Sequence, residues 1–165
     1  MVSWREKYPL EAIKPLKKTI SRLFFYAIII LFIFIFLKAG SNQTANSSTT
    51  KIFNLTTWLF IAIFIFIAIL TYVYQVFYMK YYFYDMQGKT LIITKGVFSR
   101  NEITLPINRI QDVYVDQDIL DRIFGLYDVH VSSATSTSGF LSHIDGVNKA
   151  NSETLKELLL DAIHG

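Results

Sequence analysis

Two long apolar segments without a charged side chain decide what this chain can fold into. Leu23–Leu37 is an unbroken apolar run of 15 residues, and Leu55–Met79 is 25 residues without a formal charge. Crossing a bilayer core of about 30 Å takes about 20 helical residues. The second segment exceeds that length, and the first reaches it when Ile20 joins and the basic residues at its ends extend to the interface. The sequence therefore predicts two transmembrane helices, over 20–38 and 55–79.

The first apolar segment also has features of a secretory signal peptide, because basic residues precede it and small residues follow it. However, its leader of 22 residues is longer than a usual n-region, and no A-x-A cleavage site follows. A buried core helix is the other alternative, but the rest of the chain is too small to surround two such helices. A pair of membrane helices is the better interpretation.

The positive charge predicts how these helices are oriented. Residues 1–22 carry six Lys or Arg, whereas the connecting segment 38–54 carries two. The positive-inside rule then places the arm 1–19 and the segment 80–165 in the cytoplasm, and the polar loop 39–54 outside. The expected location is thus the cell membrane, with two passes. We expect the loop to be a flexible linker, and its sequon-like triplets at Asn42, Asn46 and Asn54 arise easily in so polar a segment.

The sequence pI of about 9.0 raises nucleic acid as a partner, but the charge lies in the wrong place. Residues 1–79 hold eight Lys or Arg and two Asp or Glu, while 80–165 hold eight and eleven. A nucleic-acid domain concentrates positive charge on itself. The lipid bilayer is therefore the expected partner of the basic segment, and nucleic acid is not expected.

Neither apolar segment, Leu23–Leu37 or Leu55–Met79, contains Asp, Glu, Lys, Arg or His, which argues against a pump or a transporter of charged substrates. A subunit of an oligomeric channel or transport complex stays open as a third alternative. The chain also has no cysteine, which excludes disulfides, zinc–cysteine sites and iron–sulfur clusters.

After Lys80 the pattern changes to short β-rich segments separated by turn signals. The predicted strands are Tyr81–Met86, Thr90–Thr94, Val97–Leu105, Arg109–Val115, Leu126–Ser133 and Gly139–Ile144. Within the strand Arg109–Val115, alternation puts Ile110, Asp112 and Tyr114 on one face.

Two helices are predicted among and after these strands. Ile119–Phe124 has Asp118 as its N-cap and Gly125 as its terminator. The last helix, capped by Asn148 or Asn151, carries a single apolar stripe formed by Leu155, Leu158, Leu159, Ala162 and Ile163. Strands closed by one amphipathic helix indicate an α+β or mainly-β domain, a small barrel or curled sheet.

Leu91–Ala134 contains a series of residues that closely resembles the bacterial pleckstrin-homology-like (PH-like) domain of two-pass membrane proteins, long described as a domain of unknown function. The resemblance continues through Ile144–Val147 and the final helix. It implies a PH-like barrel of two near-orthogonal antiparallel sheets with a C-terminal helix, and no catalytic chemistry or cofactor. The matching residues include Gly96, Pro106, Arg109, Ile110, Gln111, Gln117, Arg122, Phe124 and Gly125.

Other residues suggest chemistry, but each has a simpler explanation. The carboxylates of Asp112, Asp116, Asp118 and Asp121 lack the glycine and glutamate of a calcium loop. We expect them to form caps and ion pairs, with Arg109 and Arg122 as partners. His130 and His143 lie on different strands and have no recognisable third metal ligand. Ser132, His130 and Asp128 are the residue types of a catalytic triad. However, they do not stand at the strand-to-helix turn that presents a catalytic nucleophile.

These features predict a membrane-anchored, non-catalytic PH-like scaffold or protein-interaction module with a protein partner or a second copy of the chain. Exposed residues around Phe98, Tyr127 and Phe140 are candidates for such an interface. The alternative is a domain that binds anionic headgroups. In that alternative the candidate contacts are Lys80, Lys89, Lys95 and Arg100, which are scattered rather than clustered.

Overall fold

The computed structural model describes residues 3–41, 47–133 and 142–164, without the side chains of 37–41 and 47–53. These residues form two compact units. The described residues up to Lys17 and from Val76 onwards make one unit, and those between Lys18 and Gln75 make the other.

Two long helices, α2 (Lys14–Ser41) and α3 (Ser47–Tyr81), account for the apolar segments. The stretches Lys14–Phe36 and Asn54–Tyr81 are long and apolar enough to cross a membrane, judged by length and composition. Pro15 falls in the first turn of α2, where its missing N–H costs no helical hydrogen bond.

The helices extend beyond the limits read from hydrophobicity, into the expected loop 39–54. Residues 39–41 continue α2 and residues 47–54 begin α3, while 42–46 lie outside the described residues. Ser and Thr are favoured at helix N-termini, and residues 47–54 contain no Gly or Pro. Asn54, one of the sequon-like positions, is consequently helical.

A polar contact joins α2 to α3 within the helical unit. Gln75 is buried, and in the amide orientation that satisfies it, its oxygen accepts a hydrogen bond from Nη1 of Arg22 at 3.0 Å. The Arg22 guanidinium also lies 5.6 Å from the ring centroid of Tyr74. A charge-assisted bond and a cation–π contact therefore hold the ends of the two helices together.

The first sheet of the other unit is antiparallel in the order β1 (Phe83–Gln87), β2 (Thr90–Lys95), β3 (Asn101–Pro106). The third strand starts four residues later than the predicted Val97, because Gly96 has φ +115° and the chain bends at 97–99. A Cβ at Gly96 would lie 1.9 Å from the backbone oxygen of Ser99, so only glycine fits this bend.

The second sheet has the order β4 (Ile110–Asp116), β5 (Tyr127–Ser133), β6 (His143–Val147), again antiparallel. A 3₁₀ turn, Ile107–Arg109, precedes it. The last predicted strand is shifted, since β6 runs on to Val147, and residues 139–141 lie outside the described part.

The predicted alternation in β4 is wrong at its first position. Ile110 and Val113 are buried, whereas Asp112 and Tyr114 are exposed. The pairing register with β5 shifts between Ile110 and Asp112, as at a β-bulge. The extra residue, Gln111, reverses the phase, so Ile110 joins the core face instead of the Tyr114 face.

The short helix α4 (Ile119–Phe124) has the predicted bounds and caps. The Asp118 carboxylate accepts a hydrogen bond from the Asp121 N–H at 2.7 Å, and Gly125 ends the helix with φ +67°. The last helix, α5 (Lys149–His164), is capped by Asn148, whose side-chain oxygen accepts from the Asn151 N–H at 2.8 Å.

The two sheets and α5 share one hydrophobic core. Its fully buried side chains include Tyr82, Tyr84, Leu91, Ile93, Val129, Ile144, Leu155 and Leu159. Two antiparallel sheets and a C-terminal helix are the fold that the resemblance implied, which confirms the expected class. In the described strands the sheets stay separate and do not pair into a closed barrel.

Gly96→Ala is expected to destabilise this unit by about 2–4 kcal/mol, because it combines a strained backbone with a steric clash. Gly88→Ala is the matched control, since Gly88 has φ +61° but no atom within 4 Å of its would-be Cβ. The apparent melting temperatures of the two variants, measured in detergent by circular dichroism, should differ. Equal melting temperatures would contradict the close approach to Ser99.

Candidate functional site

The N-terminal arm, residues 3–17, packs on the two-sheet unit instead of standing apart from it. It contains a short helix, α1 (Trp4–Lys7), and the first turn of α2. The Trp4 N–H donates to Oδ1 of Asp85 at 2.9 Å, and the Glu11 N–H donates to the Gly146 carbonyl at 2.9 Å. The arm therefore contacts both β1 and β6.

The arm also contributes side chains to the core. Tyr8 and Leu10 are buried among core residues. The Tyr84 hydroxyl donates to the Tyr8 carbonyl, and the Tyr82 hydroxyl donates to the His143 carbonyl. Burial raises the pKa of both phenols above the ordinary value, which keeps them protonated as donors.

We call the contact between the arm and the two-sheet unit the junction. Its main electrostatic feature is a pair of buried lysines. Lys14 and Lys17 are only 2% and 3% exposed. Nζ of Lys17 lies 2.8 Å from Asp121 and 2.9 Å from Asp118, so one ammonium group joins two carboxylates of α4. Because a buried charge without a partner is strongly unfavourable, these contacts fix the arm on the domain.

Lys14 is held by residues of β6. Its Nζ lies 3.4 Å from Oδ2 of Asp145, donates to the Asp145 carbonyl, and sits 4.3 Å from the Tyr82 ring centroid. Its aliphatic stem passes over Gly146, where a Cβ would lie 2.6 Å from Cδ of Lys14. The Asp145–Gly146 pair thus provides the charge and the space that Lys14 needs.

The two carboxylates around Lys17 differ electrostatically. Partial burial of Asp118 opposes its ionisation, but hydrogen bonds from the Asp121 N–H and from Lys17 outweigh that effect and lower its pKa. Burial raises the pKa of Asp121, which is 1% exposed, and Lys17 offsets that effect only in part. Asp118 is therefore the more firmly ionised member of the pair.

Sequence reasoning missed this junction. We expected arginines at 109 and 122 to pair with the acidic cluster, whereas the structure pairs Asp118 and Asp121 with Lys17. One available signal was the spacing of Lys14 and Lys17, which puts both on one side of a helix, opposite a domain of net negative charge.

The two strand histidines do come together, in a row of three rings on the exposed face of the second sheet. Tyr114, His130 and His143 occupy directly paired positions on β4, β5 and β6. The Tyr114 and His130 centroids are 4.9 Å apart, and those of His130 and His143 are 5.2 Å apart. Stacked rings direct their in-plane nitrogens side by side and not toward one point, so this arrangement is cross-strand packing.

The described residues offer little for metal or nucleophilic chemistry. No group of three or more potential ligands among them could hold a metal ion. Asp128 accepts a hydrogen bond from the Gly146 N–H at 2.7 Å, and His130 lies 3.6 Å from Asp116. Asp128 and His130, which a triad with Ser132 would need as acid and base, are thus directed at other partners.

The four candidate headgroup contacts lie at different places. Lys95 is buried, with its Nζ 5.2 Å from the Tyr82 ring centroid. The other three are exposed. Lys80 and Arg100 lie toward one end of the first sheet, while Lys89 lies in the turn at its other end.

The residues that carry the family resemblance stabilise the backbone of the domain. Gln117 bonds the Leu126 carbonyl at 3.0 Å and so bridges the α4 turn. Pro106 ends β3 with φ −60°, and Phe124 is partly buried. Arg109 and Arg122 are exposed. Together with Gly96, Ile110, Gln111 and Gly125, described above, these residues shape bends, a bulge and caps and do not assemble a reaction centre.

A cleft of about 460 Å³ opens between the β1–β2 turn and the end of α5. Its walls are partly apolar, with one basic side chain at the edge. The lining residues are Lys89, Thr90, Pro106, Ile107, Asn108, Ala162 and Ile163.

The fold and these contacts define a PH-like domain joined to a pair of apolar helices. The sequence model of the bacterial PH domain family matches residues 20–163, which is most of the chain. The chain therefore belongs to the bacterial PH domain family. Comparisons with curated proteins and with solved structures gave no significant match.

Lys17→Met is expected to destabilise the junction by about 3–5 kcal/mol, because it leaves Asp121 buried without its cation. Lys7→Met is the matched control, since Lys7 is an exposed lysine of the same arm and should change stability by less than about 0.5 kcal/mol. Hydrogen exchange of the amides of residues 4–17 measures the effect.

Adding Asp121→Asn to the Lys17→Met variant should restore part of the protection, because it removes the uncompensated charge. Unchanged exchange in Lys17→Met would show that the ion pairs do not hold the arm.

Proposed function

We propose that this chain is a membrane-anchored, non-catalytic interaction module that displays its PH-like domain on the cytoplasmic face. The observation that carries the proposal is the way the domain is built. Residues before Lys18 and residues after Gln75 belong to one compact unit. The domain is thereby attached to both apolar helices, which suits a module held in place at a membrane.

Membership of the PH domain family supports a non-catalytic role, since PH-like domains generally bind and do not catalyse. The buried ionisable groups support it as well. Lys14, Lys17, Asp121 and Asp145 are engaged with one another across the junction, in a structural role. Function then rests on the surface of the domain.

The cleft beside α5 is the surface that best suits a protein partner. Ile107, Ala162 and Ile163 can accept an apolar side chain, and Lys89 at the edge can pair with an acidic residue of the same peptide. A partner segment with one apolar anchor followed by a carboxylate fits this chemistry. A second copy of the chain is the alternative occupant.

Binding of anionic headgroups is the second candidate function. Lys80 and Arg100 are exposed and lie toward the same end of the first sheet. Two such residues suit weak contact with lipid phosphates, and a strong polyanion pocket would need more. A channel or transport subunit is a more distant third, because neither apolar segment contains Asp, Glu, Lys, Arg or His.

Orientation is tested with single cysteines, which the cysteine-free chain makes straightforward. Asp161→Cys, on the exposed side of α5, should resist a membrane-impermeant maleimide in intact spheroplasts and react after lysis. Gln43→Cys, in the segment between the helices, should react in both. Labelling of Asp161→Cys before lysis would reverse the proposed topology.

Partner binding is tested by photo-crosslinking in cells. A benzoylphenylalanine at Asn108, in the cleft, should give a discrete adduct that Ile163→Glu abolishes. The same probe at Glu102, exposed on β3, is the control. An adduct of twice the chain mass would identify a second copy. Identical adduct patterns at both positions, or none at either, would count against the cleft as the binding surface.

A further inference from the structure

Three apolar side chains project from the PH-like domain far more than its other large hydrophobic residues. Phe98 is 93% exposed, Ile119 is 80% exposed and Ile123 is 69% exposed. Exposed apolar side chains of this size mark candidate contacts with a membrane or a partner. We call these residues the two apolar tips, one formed by Phe98 and the other by Ile119 and Ile123.

The Phe98 tip lies beside the end of α3. Phe98 is in the bend between β2 and β3, and Arg100 closes that bend. The Arg100 guanidinium lies 5.4 Å from the ring centroid of Tyr81, the last residue of α3. The bend is therefore adjacent to the point where the chain leaves its second apolar helix.

The isoleucine tip is carried by the short helix that also holds Lys17 of the arm. Ile119 and Ile123 are four residues apart on α4, so they share one face of that helix. Asp121 of α4 and its N-cap Asp118 hold Lys17. Lys17 is only three residues before Ile20, where the apolar segment begins.

We propose that the two apolar tips insert into the interfacial layer of the bilayer that anchors the chain. This rests on the membrane anchoring proposed above. Phe98 shares its bend with Arg100, which contacts Tyr81 at the end of the second span. The helix that carries Ile119 and Ile123 holds Lys17, close in sequence to the first span. Chain continuity places the lipid–water interface near Tyr81 and Lys17. The domain would then rest on the membrane through two non-covalent contacts as well as two covalent connections.

The side chains around the tips suit a lipid surface better than a protein surface. Arg100 and Arg122 are exposed beside the apolar residues and can meet anionic headgroups while Phe and Ile enter the acyl boundary. Tyr81 adds an aromatic ring of the kind enriched at the interface. One exposed arginine close to each apolar tip suits an interfacial contact.

Site-directed spin labelling of the full chain in proteoliposomes tests this directly. Labels at Phe98→Cys and Ile123→Cys are compared with two references, using collision rates with oxygen and with a water-soluble nickel chelate. Gln87→Cys is an exposed position at the far end of β1 and should report water. Ile63→Cys, exposed on α3, should report the bilayer interior.

The expected result is a several-fold higher ratio of oxygen to nickel collisions at the two tips than at Gln87→Cys, and a lower ratio than at Ile63→Cys. A ratio at the tips equal to that at Gln87→Cys overturns the proposal. Low collision rates with both reagents also overturn it, because they indicate a protein interface.

Ile63→Cys separates this proposal from the anchoring on which it rests. If that label reports water, the membrane anchoring itself fails. If it reports lipid and the tips report water, only the insertion of the tips fails. Circular dichroism checks that the labelled variants are folded. We expect them to fold because the tip residues are exposed.

Discussion

The buried ion pairs of Lys14 and Lys17 are the interaction on which the rest of the domain depends. Neither ammonium group reaches water, so without the carboxylates of Asp145, or of Asp118 and Asp121, each would be a buried charge with no counter-ion. Several sequence features follow from this requirement. Gly146 leaves room for the Lys14 stem, and Asp118 caps α4 while binding Lys17.

Local signals in the sequence predicted much of the fold. Asp118 and Gly125 specify both ends of α4, because a cap acts within a single turn of helix. The apolar stripe of α5 and the turn at Gly88 are local in the same sense. The class of the domain, two antiparallel sheets closed by a helix, was predictable from such signals together with the family resemblance.

What the sequence did not reveal depends on contacts between distant residues. The bulge at Gln111 changes which face Ile110 occupies, and no local pattern distinguishes it from regular alternation. The bond between Lys14 and Asp145 joins residues 131 positions apart. As a result, basic residues that were counted as signals of membrane topology also form ion pairs with the domain's carboxylates.

The candidate surfaces are separated along β2. The cleft includes Thr90, where the strand begins, and the Phe98 tip follows Lys95, where it ends. A strand of six residues separates the two by about 20 Å. If the Phe98 tip faces lipid, the cleft faces away from it, and a partner can bind without competing with the membrane.

The position of the arm has a consequence for the order of biosynthesis. The ribosome makes the arm before both apolar helices and Asp145 after them. The domain therefore cannot close until the helices have been made. Their antiparallel pairing, marked by the contact between Arg22 and Gln75, brings Lys17 and Val76 to the same side and shortens the loop that must close. Synthesis and pairing of the two apolar helices thus act as an assembly step that precedes completion of the PH-like domain.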